Sequence, residues 1–183
     1  KAKSTAQKAI ELDLKLAEPH VALCMCLLQG ERDLAEAIRE AQRAVEMNPN
    51  LAIAYHSLCL AYNCARRSEE ALVAVRRAVE LDPLTPLYQA HVGWVLHCLG
   101  RDEEAWKTLQ SSLEIHPNDY YVSRLVVYCG NTPERQQIGI EISKRIASLT
   151  KTQSVTRGLL AFAYAKAGTL LSISMSRSSS CTI

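Results

Sequence analysis

Apolar residues recur along this chain with the period of a helix. From Ala52 onward, Tyr55, Leu58, Cys59 and Tyr62 form the i, i+3, i+4, i+7 stripe of an amphipathic helix. A polar break follows. Ala71, Val75 and Ala78 then mark a second stripe, which ends at Asp82-Pro83. The same phrase comes again: Gln89, Val92, Gly93 and Leu96, a break at Gly100, then Ala105, Leu109 and Ser112, and a close at His116-Pro117. Each phrase predicts two helices joined by a short turn, with proline ending the second because it cannot continue a helix. The small residues on the stripes let the two helices approach closely, and the large ones fill the space between one hairpin and the next. Pro49, Pro83 and Pro117 are spaced by 34 residues.

A fixed step of about 34 residues with this layout resembles the tetratricopeptide repeat (TPR) family. The likeness rests on eight spaced positions that recur together. It implies an all-α, right-handed α-solenoid of helix-turn-helix hairpins, each buried mainly by its neighbours. The expected solenoid covers 1–168. Residues 1–16 hold the second helix of a truncated repeat, with Ala2, Ala6 and Ala9 at its small positions. Repeats follow at 17–51, 52–85, 86–119 and 120–153, and 154–168 is the first helix of a fifth. On that helix Arg157, Leu160, Ala161, Tyr164 and Gly168 match the pattern. Repeat 17–51 is one residue longer than the others. The surplus is expected near 30–34, since a turn absorbs an insertion more easily than a packed helix. Residues 169–183 break the pattern: eight of these 15 are Ser or Thr and none is acidic. They are expected to be disordered or non-native, leaving Leu160, Phe162 and Tyr164 poorly covered.

Helix starts are marked by polar residues. Asp102 is the expected N-cap of one helix, with Glu103 and Glu104 suiting its positive end, and Ser68, Glu69 and Glu70 repeat the arrangement. Thr132-Pro133-Glu134 is a third start. The outer faces offer surface pairs: Glu36 with Arg39, Arg76 with Glu80, and Glu103 with Lys107.

Composition narrows the function. Twenty-one basic and 19 acidic residues leave a formal charge of +2, and the basic residues form no stripe. That makes no case for nucleic acid or an anionic membrane. No run of about 18 apolar residues is present. The seven cysteines include no Cys-x-x-Cys pair and read as reduced thiols of a cytoplasmic protein. No nucleophile elbow, zinc-protease motif, phosphate-cradling loop or dinucleotide fingerprint occurs, so no enzyme and no cofactor are expected.

The TPR resemblance places a peptide-binding groove on the first helices. Its expected lining includes Met25, His56, Leu60, Asn63, Trp94, His97, Tyr121, Arg124 and Tyr128, with Val21, Leu28 and Ala90 beside them. Some family members clamp a peptide carboxylate with Lys and Asn in the groove. Here Val21, Met25, His56, Leu60, Ala90 and Trp94 hold those positions, so only Arg124 is left of such a clamp. The result is an apolar groove with aromatic anchors, suited to a helical or apolar peptide of a partner protein. The alternative is that these residues pack against neighbouring helices. A self-association module using the helix at 154–168 is a second reading. A metal- or ligand-sensing site at His97, Cys64 and Cys98 is a third, although zinc needs about four converging ligands. The phrase from Glu80 to Ala105 also resembles repeats that follow bacterial signalling domains, which implies the regulatory arm of a larger protein.

Overall fold

The computed structural model describes residues 2–13, 15–31, 33–149 and 158–168. The expectation for 169–183 lies outside them. The elements are α1 (Ala2–Leu12), α2 (Glu18–Cys26) running into a π turn (Leu27–Glu31), α3 (Leu34–Met47), α4 (Ala52–Cys64), α5 (Ser68–Leu81), α6 (Pro86–Cys98), α7 (Asp102–Ile115), α8 (Tyr120–Cys129) and α9 (Pro133–Leu149). A further helix, α10, covers 158–168. Two compact units result, the first Lys1–Arg101 and the second beginning at Asp102. The boundary falls in the middle of the repeat expected at 86–119.

In the first unit each helix packs against the next from α1 to α6, and α2 also touches α4. Small side chains make the contacts possible. Cys24, Ala37, Ala41, Ala44, Ala54, Cys59, Ala61, Ala71 and Ala78 are all fully buried. Ala17, Val21, Ala44 and Ala54 form one core cluster, with Val45, Met47, Leu51 and Ile53 packed against it. In the second unit α8 packs against both α7 and α9. There Val127, Ile140, Leu159 and Ala163 form a cluster that draws in α10. Arg135 ties α9 to α7: its guanidinium lies 5.1 Å over the Trp106 ring and 2.6 Å from the Glu103 carboxylate.

Four local expectations are corrected. The surplus residue of 17–51 is not confined to the turn, because the last turn of the first helix opens into the π turn Leu27–Glu31. A single-residue insertion in a packed helix takes this form, which keeps the residues before it in register. Ser68 does not cap α5. Its hydroxyl donates to Asn63 Oδ1 at 2.9 Å, and Arg67 at the cap position makes no side-chain cap bond. Arg77, not Arg76, pairs with Glu80 at 2.8 Å. Glu103 pairs with Arg135 rather than Lys107, since a neighbouring helix presents a guanidinium already held by Trp106. The pair of Glu36 and Arg39 does form, and Thr132 Oγ1 accepts from Arg135 N at 3.3 Å as an N-cap.

The turns within two consecutive hairpins share one geometry. Arg66 (φ 62°) and Gly100 (φ 74°) are both left-handed. Beyond them, Arg67 N donates to Tyr62 O and Arg101 N to Leu96 O, each at 2.9 Å. This is the Schellman closure, which favours glycine because a Cβ crowds the neighbouring carbonyl. Only the later turn has the glycine. Gly100→Ala is expected to lower the unfolding free energy by about 1 kcal/mol. Arg66→Gly is expected to raise the midpoint of thermal melting, because Arg66 is exposed and carries the strain without a compensating side-chain contact. Melting followed by circular dichroism checks both.

Candidate functional site

The expected groove residues divide by unit. In the first unit, α2 carries Met25, α4 carries His56, Leu60 and Asn63, and α6 carries Trp94 and His97. His56 is buried at 5% exposure, and the other five are half-buried. His56 sits in an aromatic cluster. Its ring centroid is 5.1 Å from Tyr88 and 4.7 Å from His91, and the His91 ring meets Trp94 edge-on at 5.4 Å. His91 Nδ1 lies 2.8 Å from Leu87 O. A carbonyl only accepts, so Nδ1 carries the hydrogen. His56 Nε2, 3.3 Å from that Nδ1, is then the accepting nitrogen of its ring. Burial, with His91 facing it, pulls His56 down to about 3. A neutral imidazole in this position holds α4 against the aromatic face of α6.

Asn63 is engaged twice: it donates to Cys98 Sγ at 3.6 Å and accepts from Ser68. Cys64 and Cys98 are exposed. Among the described residues no three His, Cys, Asp or Glu side chains are placed to hold a metal ion. Cys24 and Cys59 are buried, and burial pushes both thiols up to about 12. They remain protonated and act as small packing residues rather than nucleophiles.

The second unit presents a different surface. Tyr121, Arg124 and Tyr128 lie on the solvent face of α8, with the two tyrosines 51% and 49% exposed. The Arg124 guanidinium lies 5.8 Å over the Tyr121 ring, and Tyr120 meets Tyr121 edge-on at 5.7 Å. Tyr128 stacks on Phe162 of α10, with centroids 6.1 Å apart and planes within 10°. The Lys166 ammonium lies 5.7 Å over the same Tyr128 ring and donates to Tyr128 O and, at 3.4 Å, to Val127 O. It caps the last carbonyls of α8, and burial lowers its pKa.

Two features escape a reading by repeat position. Phe162 completes the aromatic stripe of α8, although it lies on another helix. His20 and Glu40 form a buried pair between α2 and α3, with Nδ1 and Oε2 2.6 Å apart and Arg43 3.5 Å from the other carboxylate oxygen. A sequence signal for the pair exists: Glu40 interrupts the alanine stripe of Ala37, Ala41 and Ala44, and an acid on an inner face needs a buried partner.

No family model matches the chain, and no curated protein matches it. Solved structures do. A thermophilic TPR protein of Thermus thermophilus superposes with a TM-score of 0.79 at 16% identity, over 89% of each chain. The APC/C hetero-tetramer Cut9-Hcn1 gives a TM-score of 0.74 at 20% identity, over 88% of this chain and 32% of that one. The chain has the tetratricopeptide-repeat fold. Its class is the all-α solenoid of TPR hairpins. YrrB, described as a TPR protein with an unusual peptide-binding site, gives a TM-score of 0.61 at 20% identity, over 90% of this chain and 84% of that one. The chain spans about a third of the Cut9-Hcn1 chain it resembles. Among its described residues no helix is long and apolar enough to cross a membrane.

Two predictions concern the buried polar groups of the TPR hairpins. His56 titrates near 3 when folded and near 6.5 when unfolded. The unfolded chain therefore binds the proton more readily, and stability falls as pH drops below 6.5. The loss expected from this group at pH 5 is roughly 2 kcal/mol. His56→Phe is expected to flatten the acid side of the stability profile, read from urea melts between pH 7 and 5. Glu40→Ala strands His20 in the core and is expected to cost about 3 kcal/mol in the same melts at pH 7.

Proposed function

We propose that this chain is a non-catalytic protein-interaction scaffold that binds a peptide or helix of a partner on the first helices of its hairpins. The observation that carries the reading is the row of Tyr121, Arg124 and Tyr128, all exposed along one face of α8. Tyr and Arg are the residue types that dominate binding energy at protein interfaces. Large aromatics left open at helical spacing mark an interaction surface rather than a core. The TPR fold supports the reading, since it presents one face of the first helix in each hairpin. In the first unit Met25, Leu60, Trp94 and His97 offer half-buried contact area of the same apolar kind. His56 contributes there by holding the cluster together, being buried itself.

Self-association is the second reading, and α10 favours it: Phe162 and Tyr164 are 43% and 50% exposed. The two readings separate by experiment. Affinity capture from a lysate with the wild-type chain, Tyr121→Ala/Tyr128→Ala and Trp94→Ala is expected to yield a partner with wild type. The tyrosine double variant is expected to lose it while keeping its helical circular dichroism. Equal capture by all three chains would remove the first helices as the site. Sedimentation of wild type and Phe162→Ser tests the other reading, and a dimer that depends on Phe162 would favour self-association.

A further inference from the structure

From α4 onward, charge is segregated between the two helices of each hairpin, whereas the earlier first helix α2 begins with the exposed Glu18. Among the described residues α4, α6, α8 and α10 contain no Asp or Glu, and their charged side chains are Arg124 and Lys166. The acids lie on the partner helices instead: Glu36, Glu40 and Glu46 on α3, Glu69, Glu70 and Glu80 on α5, Glu134 and Glu141 on α9, with four more on α7. In the second unit this leaves an aromatic stripe with cations and no anion of its own. Arg124 rests on the Tyr121 ring and, among the described residues, makes no ion pair. The nearest acid in sequence, Asp119, is committed to the N-cap of α8, where its Oδ1 accepts from Val122 N at 2.9 Å. One turn beyond Arg124, Tyr128 and Phe162 form a flat stacked pair open to solvent.

Resting on the interaction-scaffold reading above, we propose that the stripe of Tyr121, Arg124, Tyr128 and Phe162 docks an acidic segment of a partner protein. An Asp or Glu of that segment pairs with the Arg124 guanidinium, which the tyrosine ring beneath already holds in place. A bulky apolar residue of the segment covers Tyr128 and Phe162. Arg124 and Tyr128 are four residues apart, about 6 Å along the helix axis. The acid and the apolar residue are therefore two positions apart in an extended segment, or one turn apart in a helical one. A basic segment would face Arg124 and Lys166 with no anion on either helix to receive it. A neutral segment would leave the guanidinium desolvated without a partner.

Selection of a random displayed peptide library on the full chain tests the inference. The enriched peptides are expected to carry Asp or Glu next to Leu or an aromatic residue. Synthetic copies are expected to bind more weakly as salt rises, and to lose affinity about tenfold or more against Arg124→Glu. Tyr128→Ala is expected to weaken them similarly. Arg124 and Tyr128 are exposed, and unchanged melting curves confirm that the variants fold. Reversal completes the test: Arg124→Glu is expected to bind the same peptides once their acids are changed to Lys. Enrichment of neutral or basic peptides that still need Tyr128 overturns the acidic partner while the scaffold reading stands. Acidic peptides that bind Arg124→Glu unchanged place the site elsewhere and overturn it too. No enrichment of any peptide counts against both readings. A wild-type dimer that Arg124→Glu dissolves makes the occupant a second copy of this chain, which also overturns the proposal.

Discussion

From α2 to α5, helices approach one another through side chains no larger than alanine, serine or cysteine. Cys24 on α2, Ala37, Ala41 and Ala44 on α3, Ala54, Ser57, Cys59 and Ala61 on α4, and Ala71 and Ala78 on α5 are all without solvent exposure. Backbones separated by so little side chain are held at a fixed distance, and that distance sets the space which the larger residues must fill. Val75, Val95, Leu109, Val122, Val126 and Ile146 do so and are as deeply buried. A methyl group more at a contact position would push the helices apart, and a methyl less on the filling residues would open a cavity. The two thiols among the contact residues act as small apolar groups, because burial keeps their protons on.

Close packing leaves little room for polar groups, and in the first unit those that enter are paired. Glu40 meets His20, and His56 meets His91, which in turn donates to Leu87 O. Each pair bridges two helices of the first unit. The exposed charges belong mainly to the second helix of each hairpin, where Arg67 with Glu70 and Arg77 with Glu80 make pairs worth a few tenths of a kcal/mol. The first helices α4, α6, α8 and α10 are thereby left nearly uncharged. Arg124 and Lys166, each over a tyrosine ring, are the exceptions.

Much of this was legible in the order of residues. Stripes such as Tyr55, Leu58, Cys59 and Tyr62, and the 34-residue spacing of Pro49, Pro83 and Pro117, imply paired helices in a repeat. A period of 3.6 and the absence of an amide hydrogen on proline act locally, so they need no tertiary context. Burial of the small positions and the end of α8 at Cys129 follow from the same local rules. The exposed position of Tyr121, Arg124 and Tyr128 also follows from their spacing on one helix face.

Other features needed the folded chain, because they depend on what lies across from a residue. Arg135 leaves its own helix to hold Glu103 and cover Trp106. Phe162 stacks on Tyr128 from 34 positions away. His56, placed by its repeat position in an open groove, is buried against Tyr88 and His91, and His91 in turn meets Trp94. The surplus residue before α3 shows the same limit: its existence is readable from spacing, but the π turn that absorbs it depends on which neighbouring residues are already locked in contact. The sequence by itself determined the hairpins and their small-residue contacts, since helical period and side-chain size are properties of single segments. Only the tertiary structure decided which polar and aromatic groups meet and which stay open, since a side chain's partner is a property of two segments at once.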